Sequence, residues 1–359
     1  MKILMMADVA PDPNAGAAGT ELRTADALCA LGHDVDTVWA PQLGRRIEHG
    51  NLHYLLELPR AYRREMRRAA GAKRYDVIHV NQPHGYLAAK SKPRGAVFVH
   101  RSHGLELRAE RDLAPWHPRP KLASRAMAAL LARHSRLIAR YADGHIVSCS
   151  DDADFLVREL GVPARRIAVI PQASPFQGQA PPMTEERLQR VLHVGQFAFF
   201  KAPGVVAAAM RELTERGLQC TWVCSRAHHD DVRALLGGAP VELLDWMPAA
   251  ALRDVYDGHG IFLFASLFEG FGKVFLEAMS RGLCVVTTRA GAARDVVVHG
   301  ESGLFVERGD SAAMVRAVES LLAAPARAAE MAATGARVAR AYTWERVARE
   351  TAAFYDSLT

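Results

Sequence analysis

At 359 residues, half of them apolar and 23% charged, the chain is long enough for two ordinary cores and has the composition of a folded globular protein. Its net charge of +6 sits in residues 1–180, the rest being slightly acidic, and neither aromatics nor a recognition motif accompanies that charge, which argues against nucleic acid as a partner. No apolar run approaches the ~20 residues of a membrane span, Asp8 interrupts the first apolar stretch too early for a signal peptide, and five cysteines without zinc-type spacing read as reduced core thiols of a cytoplasmic protein.

In chain order, Lys2–Met6 reads as a buried strand and Thr20–Leu31 as a helix with Leu22, Ala25, Leu28 and Leu31 on one face. Strands follow at Asp34–Trp39, Val77–Val80, Ala96–His100 and Gly144–Ser148, the last ending in the acidic helix start Asp151-Asp152. Between them, Pro59–Ala70 predicts a short helix with Arg60, Arg63, Arg64, Arg67 and Arg68 on one broad face, opposed only by Glu65. Tyr62 and Met66 form an adjoining apolar strip. A face of this kind suits anionic lipid head groups or a phosphorylated acceptor.

Residues 171–187 are rich in proline and glutamine and carry no period, the signature of a linker. The pattern then restarts, with strands at Arg190–Val194, Cys220–Cys224, Val241–Leu244, Gly260–Phe264 and Cys284–Thr288 and helices near 203–215 and 273–281. Ala312–Ala341 reads as helical, and Thr343-Trp344-Glu345 as a helix start before a last amphipathic helix ending near Leu358. Alternation of this kind implies βαβ units and parallel sheets. It divides the chain into an N-terminal domain (1–175), a linker (176–188) and a C-terminal domain (189–342). The last helix (343–359) is expected to pack back on the first domain.

The stretch that carries chemistry runs from Ser266 to Val306. Gly270, Phe271 and Gly272 follow a strand and open a helix at Lys273, where close backbone approach, unsatisfied N–H groups and the positive dipole end suit a diphosphate. Glu269 lies in that loop and Glu277 eight residues on, in the second helical turn. Together with the glycine loop they suggest one carboxylate for sugar hydroxyls and one for a ribose diol.

Glu269-Gly-Phe-Gly-Lys-Val-Phe-Leu-Glu277-Ala-Met, then Gly282, Val285-Val286-Thr287, Gly291, Asp295 and Gly300-Glu-Ser-Gly-Leu-Phe-Val306, resembles the family-4 retaining glycosyltransferases, whose signature is Glu, seven residues, Glu. The likeness spans nearly the whole chain and thins within 40–75 and 105–140. It implies an α/β fold of two tandem Rossmann-like, doubly wound domains facing across a cleft (GT-B). The implied substrates are a nucleotide-diphosphate sugar and a saccharide, lipid-linked or small-molecule acceptor, with no cofactor and no metal. By the same resemblance Gly195 and Lys201 belong to a diphosphate-binding loop, and Gln196 stands where the family has an arginine. That change leaves charge neutralisation to Lys201, the helix dipole and Arg226 or Lys273. Gly16 and Gly19, between strand 1 and helix 1, resemble the family's Gly-Gly loop. His103, in the strand-end segment His100-Arg101-Ser102-His103-Gly104, is similar to the histidine that reaches the donor sugar, whereas His100 reads as a core residue. Ile170-Pro171-Gln172-Ala173-Ser174, Cys224-Ser225-Arg226 and Ala292-Ala293 depart from the family pattern.

Transfer with retention of configuration is therefore the expected activity, in a cytoplasmic protein with weak peripheral contact to anionic membrane. The rivals are a sugar-nucleotide epimerase on the same architecture and a scaffold that binds nucleotide without turnover.

Overall fold

The computed structural model describes residues 1–13, 16–117 and 122–359, with the side chains of 122–126 left aside. Asn14 and Ala15, which precede Gly16 between the first strand and the first helix, lie outside the described residues. The chain forms two compact units, one comprising Met1–Gln172 with Trp344–Thr359 and the other Ala173–Thr343.

The first unit is built on β1 (Lys2–Met6), β2 (Asp34–Val38), β3 (Val77–Asn81), β4 (Val97–Arg101), β5 (Gly144–Val147) and β6 (Ile167–Val169), in the order β2-β1-β3-β4-β5-β6. All pair in parallel. The inner strands β3, β4 and β5 are buried along their whole length, their polar positions His79, Asn81, His100, Arg101 and His145 included, so they do not alternate between a buried and a solvated face. β6 is a partly exposed edge strand of three residues, and although Ile167-Ala168-Val169 is apolar, it is too short for the sequence pattern to reveal. Tyr62 and Met66 of the helix Leu58–Ala72 sit in the core with Ile78, Val80 and Phe98. The Tyr62 hydroxyl donates to the Asn81 carbonyl at 3.1 Å and accepts from the Asp8 amide at 2.9 Å.

The C-terminal helix Trp344–Leu358 packs closely on this unit: a Cβ at Gly144 would clash with Leu358 Cδ1 and lie 2.9 Å from the Phe354 ring, so a larger residue in β5 would push these side chains aside. Tyr355, on the same helix, is buried with its hydroxyl 2.5 Å from His79 Nδ1.

The second unit contains β7 (Arg190–Val194), β8 (Gln219–Val223), β9 (Val241–Leu244), β10 (Ile261–Phe264), β11 (Cys284–Thr288) and β12 (Leu304–Val306), in the order β12-β11-β10-β7-β8-β9, again all parallel. The order reverses between β7 and β10, the doubly wound arrangement whose crevice at the carboxyl ends of the strands receives ligands.

Four expectations are corrected. The first helix spans Gly16–Ala30, so Gly16 and Gly19 belong to its opening turn rather than to a loop. The helical stretch after 312 is two helices, Ser311–Leu322 and Pro325–Ala339, because Pro325 cannot donate into a preceding turn and instead starts the second. Cys29 is exposed, so only the other four thiols are core residues. Glu65 does not stand against an open arginine face: it is buried, and it accepts from Arg64 Nε at 2.8 Å and Arg68 Nε at 2.7 Å. Arg64 also donates to the Leu43 carbonyl at 2.7 Å; it and Arg68 stay exposed, so Glu65 offsets part of the charge of a face on which Arg60 and Arg67 are also exposed and Arg63 is half-buried. Among the described residues no helix is long and apolar enough to cross a membrane.

Candidate active site

In the second unit the loops leaving β7 and β10 meet at the point where strand order reverses. The β7 loop carries Gly195, Gln196 and, at the end of a single 3-10 turn, Lys201. The β10 loop carries Glu269, Gly270, Phe271 and Gly272 and ends in the helix Lys273–Ser280. The Leu267 amide donates to the Phe200 carbonyl at 2.7 Å, tying the two loops together.

This stitching brings the charged side chains into contact. Lys201 Nζ lies 2.5 Å from Glu269 Oε1, which also accepts from the Ser266 hydroxyl at 2.8 Å. Both members of the pair are largely withdrawn from solvent, with Lys201 at 14% and Glu269 at 9% side-chain exposure, so neither can lose its partner cheaply. Glu277 projects from the second turn of the helix and is buried, with its Oε2 accepting from the Tyr256 hydroxyl at 3.0 Å. Burial raises the pKa of Glu277, against the opposing pull of Lys273, Tyr256 and Lys201. Lys201 and Lys273 are thus close enough to act on the carboxylate presented by the same helix.

Gly272 sits at φ +88°, a conformation that L-residues resist, and a Cβ there would come within 2.9 Å of Phe264. The ring of Phe271 is buried against Phe275, their centroids 5.8 Å apart, so only its main chain is available to a ligand. Gln196 is exposed just beyond β7. Phe197 beside it stacks on His228 at 5.2 Å, which ties this loop to the turn opened by the exposed Arg226.

In the first unit, Gly19 is required by a close approach: a Cβ would lie 2.6 Å from the Pro13 carbonyl oxygen, whereas Gly16 faces open space. His103 follows β4 and keeps 14% of its side chain exposed. Its Nε2 is 2.7 Å from Glu21 Oε1 and its Nδ1 is 3.2 Å from Gln172 Nε2. His100 is a core residue, as its position in the strand suggests, with its Nδ1 3.1 Å from that of His145. Burial lowers the pKa of both rings, that of His145 to about 3, so they stay neutral and one donates while the other accepts.

The residues that sequence reasoning did not single out are partners rather than motif members. Tyr256, Ser266 and Glu21 lie in or near the quoted segments but had no role assigned, and Gln172 registered only as a departure from the family pattern. The acidic position directly after the Gly16–Thr20 turn was the one available signal for Glu21.

Comparison with known proteins adds to this geometry. The profile for glycosyltransferase family 4 matches residues 16–173, and that for group 1 glycosyl transferases matches residues 189–324. A D-inositol 3-phosphate glycosyltransferase of Rhodococcus jostii strain RHA1 is 26% identical over 287 residues, 71% of this chain, and the match spans 60% of that relative's length. Among solved structures, sucrose-phosphate synthase from Thermosynechococcus elongatus superposes with a TM-score of 0.81 at 20% identity, covering 100% of this chain and 99% of its own. Anabaena HepE in complex with UDP and glucose gives 0.71 at 19% identity, with 99% and 100% covered. These structural likenesses establish the shared GT-B fold. With both halves of the chain matched by the two profiles and the Glu269–Glu277 signature in place on its loop and helix, the chain belongs to the family-4-type glycosyltransferases.

Proposed function

We propose that this protein moves a sugar from a nucleotide-diphosphate donor to an acceptor hydroxyl, with retention of configuration and without a metal. The observation that carries the reading is the Lys201–Glu269 ion pair beside the helix that presents Glu277. In the absence of donor the two charges neutralise each other. An arriving diphosphate gives Lys201 a new anionic partner, and Glu269 then turns its oxygens to sugar hydroxyls. Glu277 takes the ribose diol, and the amides that open the Lys273 helix, with Lys273 itself, hold the phosphate oxygens.

In this scheme the bond between the anomeric carbon and the β-phosphate oxygen breaks. The acceptor oxygen bonds to the same carbon on the same face, and the acceptor proton passes to the leaving diphosphate. The protein's share is to position the reactants and to stabilise the departing negative charge. His103 is assigned to the donor sugar and the first unit to the acceptor. Arg60, Arg63 and Arg67, the arginines of the helix Leu58–Ala72 that Glu65 does not pair, offer weak attachment to an anionic lipid surface.

Support comes from Anabaena HepE, which was solved with UDP-glucose. The test is incubation with a panel of radiolabelled sugar nucleotides and with saccharide and lipid acceptors. Acceptor-dependent product with the donor's anomeric configuration is expected. Product without acceptor points to an epimerase, and binding without any product points to a scaffold.

A further inference from the structure

Glu21 has no part in the roles assigned above, yet its surroundings are those of a built site. It occupies the opening of the helix Gly16–Ala30 and is 2% exposed. One carboxylate oxygen accepts from His103 Nε2 at 2.7 Å, and the other is 3.3 Å from His79 Nε2. Arg101 Nε, fully buried, is 3.7 Å away. Burial alone would push the Glu21 carboxyl up. His79, the hydrogen bond from His103 and Arg101 outweigh it and hold the group well below the usual range, so it is a carboxylate at neutral pH.

The other side of the His103 ring is fixed as well. Gln172 directs its amide nitrogen at Nδ1 from 3.2 Å, while its oxygen accepts from the Thr20 hydroxyl at 3.0 Å. An N–H facing Nδ1 makes that nitrogen the acceptor, which leaves the proton on Nε2, aimed at Glu21. The nitrogen that could exchange a proton with a ligand is therefore Nδ1, the one that Gln172 faces.

We infer that Glu21 is the positioning residue of His103: the carboxylate sets the ring's orientation and tautomer and raises its affinity for a second proton. The consequence for turnover rests on the assignment of His103 to the donor sugar. Among the described residues, the titratable and charged groups facing this corner are Glu21 from the first helix, Tyr62 from the helix Leu58–Ala72, His79 from β3, Arg101 and His100 from β4 and Tyr355 from the last helix, whose hydroxyl meets His79, with Ser148 and Gln172 as polar neighbours. His100 is neutral, so it adds no charge. A carboxylate in contact favours the imidazolium, and removing it also leaves Arg101 unopposed. Both effects lower the ring's proton affinity.

The experiment is nitrogen-15 NMR of the histidine rings, with the His103 signal assigned from a His103→Asn spectrum, run beside the pH profile of kcat. In Glu21→Gln, which keeps the size and an acceptor oxygen, the His103 titration should move to lower pH by about one unit or more. The limb of the kcat profile that His103→Asn removes should move with it. The KM for the nucleotide sugar should change less than twofold. An unmoved titration overturns the role of Glu21. A moved titration with an unmoved kcat limb upholds Glu21 as the positioning residue and overturns the assignment of His103 to the reaction. If Glu21→Gln does not fold, the wild-type spectrum decides: a neutral ring protonated on Nδ1 refutes the inference, and one protonated on Nε2 upholds it.

Discussion

Gly291→Ala tests whether the position of Glu269 is set by backbone packing. Gly291 lies at φ +57°, and an added Cβ would come 2.6 Å from Glu269 Cβ and 2.9 Å from the Glu269 carbonyl oxygen. Two costs follow. Placing an L-residue in the left-handed region costs about 1–2 kcal/mol. Forcing an atom into filled space costs typically about 1–3 kcal/mol more, and here the obstacle is main chain and a Cβ, which cannot swing aside as a long side chain would. Gly237 supplies the control within the same unit, since it sits at φ +60° with nothing nearer than Arg211 Nη1 at 3.8 Å. Gly237→Ala should therefore cost about 1–2 kcal/mol and Gly291→Ala about 2–5 kcal/mol. Native-state hydrogen exchange of the β7, β10 and β11 amides reads both values on this unit alone, and calorimetry with a nucleotide sugar reads the displaced Glu269. Equal losses in the two variants, with donor affinity intact in Gly291→Ala, would refute the idea that Gly291 seats the carboxylate.

Three further outcomes are expected. Glu277→Ala should weaken nucleotide binding by about 1.5–3 kcal/mol, the scale of a hydrogen bond to a charged group, and unchanged affinity in calorimetry would take Glu277 off the ribose. Because burial raises its pKa above the ordinary 4.5, nucleotide affinity should fall with pH before most carboxylates protonate, and Glu277→Gln should lack that fall. For stability the sign is opposite: the protonated group's contribution is complete below about pH 4.5 and is lost as pH rises through the raised value. Gln196→Arg should tighten diphosphate binding, more at low salt than at high, and no tightening would show that another cation already serves the phosphates. In vesicle co-sedimentation, binding should need anionic lipid and fade with salt, and it should drop more when Arg60, Arg63 and Arg67 become Ser than when Arg64 and Arg68 do, since Glu65 already holds the latter two; equal recovery on neutral and anionic vesicles would remove the membrane from the account.

The sequence by itself determined what depends on near neighbours. Buried parallel strands carry clusters of β-branched and apolar residues without strict alternation because both faces are covered, and the cores of both sheets were legible for that reason. Glu269 and Glu277 were legible as a pair because one loop and two turns of one helix separate them, so their spacing alone places both at the same helix end. Only the tertiary structure decided the partners. Lys201 and Glu269 are 68 residues apart, His103 and Glu21 are 82 apart, and Gln172 is 69 from the His103 ring it covers. Such contacts depend on which strands become neighbours in the sheet, and that order is set by the packing of whole elements, not by any local run of residues. The edge strands β6 and β12 escaped for a related reason: each is three residues long and only partly buried, and its strand character comes from the neighbour it pairs with. The arginine face was legible as a charge pattern, yet which of its members are charge-paired was not, because Glu65 meets Arg64 and Arg68 on a helix whose orientation is set by Tyr62 and Met66 in the core.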